Sequence, residues 1–305
     1  MIYDIIIIGG GPAGITAGIY GARQNLKILL ITKSFGGQVA EKAVAIENYP
    51  GFEEILGKDL IEKFENHLKK QKVEIKLDEV LEIKKSNSLF LVSTKNKKDI
   101  QAKTIIIASG ADSRVLNIPG EKEFLGKGVS YCAVCDGILF TNKTVAVIGG
   151  GNAGFESAIL LSNYVKKIYI LEYGSEIKAD RINQQILRKT NKAKIMTNVA
   201  LQKIVGKEFV ESIIYQCLKD GKQKTLFVDG VFVQIGKNAT TSFVKDLVEF
   251  NKQNEIKVKF ETFETKTPGL FVAGDANVGQ YKQIITACGE GAKAALSAYH
   301  YIKKQ

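Results

Sequence analysis

The sequence is short of cysteine and histidine and has no long apolar run, and each shortage removes a class of protein. Four cysteines, Cys132, Cys135, Cys217 and Cys288, make no disulfide framework. The longest apolar runs, such as Ile5 to Ile8, fall far short of the ~18 residues that span a bilayer, so no membrane partner is expected. A strand begins within three residues of Met1, which leaves no room for a leader, and a cytoplasmic location is expected. The net charge of +11 comes almost entirely from lysine, but lysines alternate with glutamates, as in Lys69-Lys70-Gln71-Lys72-Val73-Glu74. Without a clustered basic stripe or interleaved aromatics these blocks read as solvated surface, and no nucleic-acid partner is expected. A basic surface still suits an acidic protein partner.

What is present is globular. Hydrophobic residues make up 45% and charged residues 25% of 305, and that length suggests two domains. The informative stretch is Ser130-Tyr131-Cys132-Ala133-Val134-Cys135-Asp136-Gly137. Two cysteines separated by two residues can close a small disulfide ring, and such a pair suits reversible two-electron exchange. The carboxyl of Asp136 follows where it can pass a proton to or from a thiolate.

Glycine-rich turns stand on either side of that stretch. The strand Ile2 to Ile8 runs into Gly9-Gly10-Gly11-Pro12-Ala13-Gly14 and then a helix to about Arg23. Gly9, Gly11 and Gly14 fill the GxGxxG spacing, which permits a tight turn, close approach to a pyrophosphate and close packing of helix on strand. Alone, such a match also fits a glycine turn with no ligand. After the dithiol the pattern returns: Val145 to Ile148, then Gly149-Gly150-Gly151-Asn152-Ala153-Gly154, a helix to about Tyr164 and a strand from Ile168 to Leu171. Gly149 follows Gly9 by 140 positions and Lys167 follows Lys27 by the same 140. Two fingerprints in one register imply two dinucleotide-type ligands.

The strand ends differ. The second strand of the first unit, Lys27 to Ile31, ends in Thr32-Lys33, whereas the second unit has Glu172, 23 residues after Gly149. That is close to the ~20-residue spacing at which an acid binds a ribose 2′-hydroxyl, and it would repel a 2′-phosphate. An exposed strand-end charge is the alternative.

The remaining chain reads as supporting structure. Phe35-Gly36-Gly37-Gln38 and Glu47-Asn48-Tyr49-Pro50-Gly51-Phe52 are loop-like and able to reach over a cofactor. A lysine-rich amphipathic helix spans about Leu60 to Gln71, with His67 on its solvated face, and alternating strands run through Val92. The strand Thr104 to Ile107 ends in Ala108-Ser109-Gly110, and Pro119-Gly120 marks a change of segment. Strands resume at Glu211 to Lys219, Thr225 to Val228 and Val231 to Ile235. Leu270 to Ala273 leads into Gly274 and Asp275, which suits cofactor hydroxyls or a cap, before a helix from about Gln283 to Ile302. Cys217 and Cys288 read as buried small hydrophobes.

Together, GGGPAG, FGGQ, ENYPG, ASG, CAVCDG, GGGNAG and the terminal AGD with YKQI resemble the low-molecular-weight thioredoxin reductase family over essentially the whole chain. The resemblance implies an α/β fold of two Rossmann-like dinucleotide-binding domains, the second inserted in the first. Residues 1–113 and 237–305 would bind FAD, and residues 114–236 would bind NAD(P)H and carry the cysteine pair. By the same resemblance Gly9, Gly11, Gly14, Gly37, Gln38, Asn48, Asp275 and Gln283 hold FAD, with Pro12, Ala13, Gly36, Ala108, Gly110, Gly274, Lys282 and Ile284 beside them. Gly149, Gly151 and Gly154, with Asn152 and Glu172, hold the nicotinamide nucleotide.

One departure separates this chain from typical members, which carry His-Arg-Arg and a further Arg for the 2′-phosphate of NADPH. Here the stretch reads Leu171-Glu172-Tyr173-Gly174 with Lys178 beyond. In this, and in the YKQI and GEGAKAALSA stretches, the chain is similar to the flavoprotein component of alkyl hydroperoxide reductase, which uses NADH, so NADH rather than NADPH is expected. That family has an extra N-terminal redox domain with its own cysteine pair, not found in this sequence. A separate small redoxin protein, thioredoxin-like or glutaredoxin-like, is therefore expected as partner, and the family implies a homodimer.

The resemblance implies that Cys135 faces the flavin, that Cys132 attacks the partner disulfide and that Asp136 is the acid and base. Rotation about the crossings near Arg114 to Pro119 and Gly236 to Asn238 would present dithiol and nicotinamide to the flavin in turn. Alternatives stay open. A zinc site needs a second ligand pair beside Cys132 and Cys135, and His67 and His300 stand near no cysteine, so no metal is expected. A FAD-dependent dithiol oxidase has no use for the second fingerprint. A reductase component of a peroxiredoxin system and a non-catalytic redox sensor complete the set.

Overall fold

The computed structural model describes residues 1–42, 46–97 and 99–305, and the chain divides into two compact units. One comprises Met1–Asp112 with Asn238–Gln305, and the other is Ser113–Lys237.

The first unit is built on a central run of β-branched residues. Ile2–Gly10 pairs in parallel with Ile28–Phe35 on one side and Ile100–Ile107 on the other. Because successive side chains in a strand point to opposite faces, Ile5 and Ile7 join the core with the helices, while Ile6 and Ile8 join a second core on the other face. Full burial stabilises each such side chain by about 1.5–3 kcal/mol. Val73–Leu77 extends the sheet beyond Ile28–Phe35. The far edge of Ile100–Ile107 is shared: Phe90 to Val92 pair antiparallel with its first half, and Leu270–Val272 pairs in parallel with its second. The helix Pro12–Ala22 is small-sided, and Gly14, Ala17, Gly18 and Gly21 are buried where it meets strand and helix neighbours.

The second unit repeats the plan. Its parallel sheet runs Ala193–Met196, Lys167–Leu171, Thr144–Ile148, Gly230–Val233, Val129–Ser130, and the helix Asn152–Leu161 follows the central strand. Val199–Gly206, Val210–Cys217 and Gln223–Phe227 form an antiparallel sheet that falls in sequence between the parallel strands Ala193–Met196 and Gly230–Val233. This is the α/β arrangement of two Rossmann-like units, one inserted in the other, expected from the sequence.

Several local expectations need correction. The strand after the first helix runs to Phe35 rather than stopping at Ile31, because a register shift between Ile8 and Gly10 lets Gly10 pair with Phe35. Gln38 starts a short helix, Gln38–Lys42, and does not end a loop. The helix Arg181–Lys189 has no counterpart in the sequence reading, although Ile182, Ile186 and Leu187 recur at helical spacing; of these only Leu187 is buried. Cys217 is half-exposed rather than buried, while Cys288 is buried. No helix among the described residues is long and apolar enough to cross a membrane.

Candidate active site

Each unit offers a glycine turn at a helix N-terminus. In the first, Gly11 is the N-cap of Pro12–Ala22 and has no side chain to cover the first-turn N–H groups, while Pro12 lacks one of those groups altogether. Such a terminus suits an anionic group. Gly9 must be glycine on two counts: its φ is +114°, and a Cβ there would run into the carbonyl oxygen of Ala108. A Cβ on Gly14 would meet the oxygen of Gly9. The second unit does the same, with Gly149 at φ +118° facing the carbonyl of Gln234, Gly154 packed on Gly149, and Gly151 as N-cap of Asn152–Leu161. The backbone approach that a pyrophosphate requires is present twice.

The other residues expected to hold FAD gather in the first unit. Gly36 N–H donates to the Gly10 carbonyl at 2.8 Å, Gln38 Nε2 donates to the Ala111 carbonyl, and Ala108 N–H donates to the Ile8 carbonyl at 2.8 Å. Gly110 accepts from Thr240 N–H at 3.1 Å, and the exposed Gly37 follows Gly36 at φ +51°. Gly274 and Gly291 both pack on Ala13. Asn48 Nδ2 donates to Gln283 Oε1 at 3.3 Å, and Gln283 caps the helix Ile284–Lys303 through a capping box with Thr286. Asp275 is half-buried in the single turn Gly274–Ala276. Lys282 is engaged by its own chain: Nζ donates to the carbonyls of Asp275 (3.2 Å) and Asn277 and pairs with Glu255 at 3.1 Å. Half-buried Ile284 packs on Ile46, Ile55 and Leu60.

Sequence reasoning passes over Glu290, which accepts from Gly274 N–H and Asn277 Nδ2, both at 2.7 Å. Burial pushes its carboxyl up, against the pull of these two donors. Its signal is a charge set among the small residues Gly289, Gly291 and Ala292. A separate cleft of about 310 Å³ in this unit is lined by Thr16, Tyr49, His67 and Cys288 among others and takes in none of the expected cofactor residues. Cys288 lies 3.9 Å from the Tyr49 hydroxyl, and burial pushes its thiol up.

In the second unit the Glu172 carboxylate accepts from Gly150 N–H at 2.6 Å and Gly174 N–H at 2.8 Å. It braces the turn, and its oxygens keep lone pairs for further donors. Asn152 and Asp180 pair reciprocally: Nδ2 donates to Asp180 Oδ2 at 3.0 Å, and Oδ1 accepts from Asp180 N–H at 2.7 Å.

Cys132 and Cys135 form a disulfide with Cα atoms 5.3 Å apart. Cys132 is the extended N-cap of the short helix Ala133–Asp136, and its Sγ accepts from Cys135 N–H at 3.2 Å. Ser130 Oγ donates to Asp136 Oδ2 at 2.5 Å and accepts from Cys132 N–H at 3.0 Å. Asp136 is thereby joined to the backbone of Cys132 through a serine to which sequence reasoning gives no role. Cys135 is exposed, as are Val134, Ile138 and Leu139 close to it in sequence, and Cys132 is half-buried. Among the described residues no group of three or more His, Cys, Asp or Glu is placed to hold a metal ion.

A family model described as pyridine nucleotide-disulphide oxidoreductase matches residues 3–291. The F component of alkyl hydroperoxide reductase from Staphylococcus aureus (strain MSSA476) is 41% identical over 301 residues, covering 98% of this chain and 59% of that protein. The chain thus spans less than two thirds of the length of this relative. Its fold is similar to thioredoxin reductase from Streptococcus pyogenes MGAS5005, with TM-score 0.94 and 36% identity over 100% of this chain and 99% of that one. Thioredoxin reductase from Giardia duodenalis gives TM-score 0.94 and 33% identity over 99% of each chain.

Proposed function

Because the chain belongs to the pyridine nucleotide-disulphide oxidoreductase family, an oxidoreductase family that implies FAD and a pyridine nucleotide, we propose that it is a flavoprotein disulfide reductase serving a small redoxin. Electrons would enter from NADH and leave through Cys132 and Cys135. The observation that carries this reading is the Cys132 to Cys135 disulfide, linked through Ser130 to Asp136, on the same unit as a glycine turn braced by Glu172.

The turn of Gly9, Gly11 and Gly14 would hold FAD with Gln38, Asn48, Asp275 and Gln283, and that of Gly149, Gly151 and Gly154 would hold the nicotinamide nucleotide. Bound FAD supplies two-electron transfer from a nicotinamide to a disulfide. Reduction of the Cys132 to Cys135 bond takes up two electrons and two protons and gives two thiols. Charge left on Cys132 sulfur faces the N–H of Cys135, which favours the thiolate there. That thiolate attacks the partner disulfide and forms a mixed disulfide; Cys135 then displaces it, the partner leaves as a dithiol, and the ring closes. Asp136 is suited to hold the proton, with Ser130 fixing its carboxyl. By its spacing from Gly149, Glu172 would bring a negative charge near the ribose 2′-position, which supports NADH over NADPH. The exposed Val134, Ile138 and Leu139 beside Cys135 support a protein as acceptor.

The 41% identity to the alkyl hydroperoxide reductase F component favours a second reading, in which the electrons end on a peroxiredoxin. One experiment addresses both. The purified yellow protein is titrated anaerobically with NADH and with NADPH while flavin absorbance and free thiols are followed. NADH should be favoured, with two thiols appearing before the flavin bleaches fully. Turnover is then assayed with thioredoxin, glutaredoxin, or a peroxiredoxin plus peroxide. In Cys135→Ser the remaining Cys132 should trap the redoxin as a mixed disulfide. If neither nucleotide reduces the flavin, the reductase reading falls, and peroxide formation from dithiols without nicotinamide would put an oxidase in its place.

A further inference from the structure

Glu121 is a carboxylate only 2% exposed, and burial of that kind is costly unless donors meet the charge. Three do. Oε1 accepts from Leu116 N–H at 2.8 Å and from the Tyr131 hydroxyl at 2.7 Å, and Oε2 accepts from Asn117 N–H at 2.7 Å. Burial, and then Glu121 itself, push the Tyr131 phenol above its ordinary range, so it stays protonated and keeps donating. At its other end Tyr131 is held again, because its carbonyl accepts from Gln234 Nε2 at 3.1 Å. Gln234 in turn donates its N–H to the Ile148 carbonyl at 2.8 Å and sets its own carbonyl against Gly149. Tyr131 is thus tied on one side to the opening segment of the second unit and on the other to its glycine turn.

Tyr131 is bonded to Cys132, so what fixes one fixes the backbone of the other. The Cys132 N–H directed at Ser130 Oγ and the Sγ facing Cys135 N–H both depend on that placement. We propose that Glu121 is a positioning residue for the redox-active disulfide, acting through Tyr131 to hold Cys132 at the distance from Cys135 at which the ring closes. Its place in turnover rests on the disulfide-reductase reading; its effect on ring closure does not.

The test uses the whole chain in anaerobic glutathione buffers at neutral pH, with free cysteines alkylated and counted by mass spectrometry. In that exchange two glutathione thiols are oxidised to their disulfide as the Cys132 to Cys135 bond becomes two thiols, so electrons and protons balance. Loosening the clamp lowers the effective concentration of one sulfur at the other. Tyr131→Phe and Glu121→Gln should each shift the equilibrium toward the dithiol by about tenfold, which for a two-electron couple is about 30 mV. Ile213→Val, in the same core but outside this network, is the control for lost stability and should stay within about twofold. Tyr131→Phe removes one oxygen and keeps the ring, so it decides the matter if Glu121→Gln does not fold. Variants that lose stability like the control yet leave the equilibrium within twofold of the parent would overturn the proposal. The readout needs neither flavin nor nucleotide, so a failed NADH titration would remove the reductase reading and leave this result standing.

Discussion

In the first glycine unit Thr32 lies within the strand Ile28–Phe35, and 140 positions later in the second unit Glu172 directly follows the strand Lys167–Leu171. Both side chains crowd the middle glycine of their turn: a Cβ on Gly10 would lie 2.8 Å from Thr32 Oγ1, and one on Gly150 would lie 2.8 Å from Glu172 Oε2. Thr32 is neutral, buried and occupied with the Ser34 carbonyl at 2.6 Å, whereas Glu172 brings a charge that gathers the N–H groups of Gly150 and Gly174. Each turn is also closed by a following segment, Gly36 N–H on the Gly10 carbonyl in one and Lys178 and Ala179 N–H on the Gly150 carbonyl in the other. The glycines are thus fixed by backbone crowding that is common to both units. What differs between the units is the side chain at this position, Thr32 or Glu172, and the segment that covers the turn.

If crowding is the shared constraint, adding one methyl should break each unit separately. A Cβ at Gly14 or Gly154 would strike the oxygen of Gly9 or Gly149, which are backbone atoms that cannot swing aside. Overpacking of this kind costs about 1–3 kcal/mol, or about fivefold to 150-fold if it falls on affinity. Gly14→Ala should purify with its flavin content lowered by about that factor. Gly154→Ala should stay yellow, keep its dithiothreitol-reducible disulfide and lose reduction by NADH by about that factor. Visible absorbance and stopped-flow reduction measure the two. Flavin loss of equal size in both variants would show that the second turn does not serve its own ligand.

This shared crowding is also why so much is legible in the sequence. Glycine spacing records where backbone meets backbone, so the repeat at Gly9 and Gly149 can be read without coordinates, as can the buried run Ile5 to Ile8 and the ring-forming spacing of Cys132 and Cys135. What cannot be read depends on partners distant in sequence. The spacing singles out Glu172 as an acid near a ribose site, but nothing in the sequence indicates that its oxygens already meet two amides of its own unit. Lys282 stands near Asp275 in sequence, yet Glu255 claims its charge. Glu121 opens the charged run Glu121-Lys122-Glu123 directly after Pro119-Gly120, and nothing in that run tells it apart from a solvated carboxylate or shows that Tyr131 and two backbone amides await it.

Making the second unit resemble the first sharpens the comparison at its point of difference. Glu172→Thr removes the charge and its two hydrogen bonds, and hydrogen bonds to a charged group contribute about 1.5–3 kcal/mol each when buried. With Glu172 half-buried, the expected outcome is a fall of about tenfold in kcat/KM for NADH. The value for NADPH should hold or rise, because repulsion of the 2′-phosphate goes with the carboxylate. Steady-state kinetics with both nucleotides read the ratio. A parallel fall for both would mean that Glu172 acts by bracing Gly150 and Gly174 and not by selecting the nucleotide.

The smallest effect lies where each unit passes from its third parallel strand to the antiparallel strands beyond. In the first unit Val73–Leu77 is followed by buried Asp78, which accepts from Thr94 Oγ1 at 2.7 Å, Asn96 Nδ2 at 3.1 Å and Glu79 N–H at 2.8 Å and pairs with Lys76 at 3.0 Å. In the second, Ala193–Met196 is followed by Asn198, which has no charge to lose and works through its backbone, donating N–H to the Gly174 carbonyl at 2.9 Å and accepting from Leu218 N–H at 2.8 Å. Burial acts to raise Asp78, but the donors from Thr94, Lys76 and Glu79 outweigh it and bring the carboxyl down to about 2. In the unfolded chain an aspartate titrates near about 3.9, so the stability this group contributes is complete above that value and is lost as pH falls toward about 2. Hydrogen exchange, corrected for intrinsic rates, should therefore show Leu89–Thr94 losing protection between about pH 4 and 2.5 by a few-fold more than Val210–Cys217. Asp78→Asn should lower protection of Leu89–Thr94 at neutral pH and remove its extra loss in acid. Equal loss in the two strands of the parent protein would mean that the charge at Asp78 does not distinguish the junctions, and that the units part company only at their ligand sites.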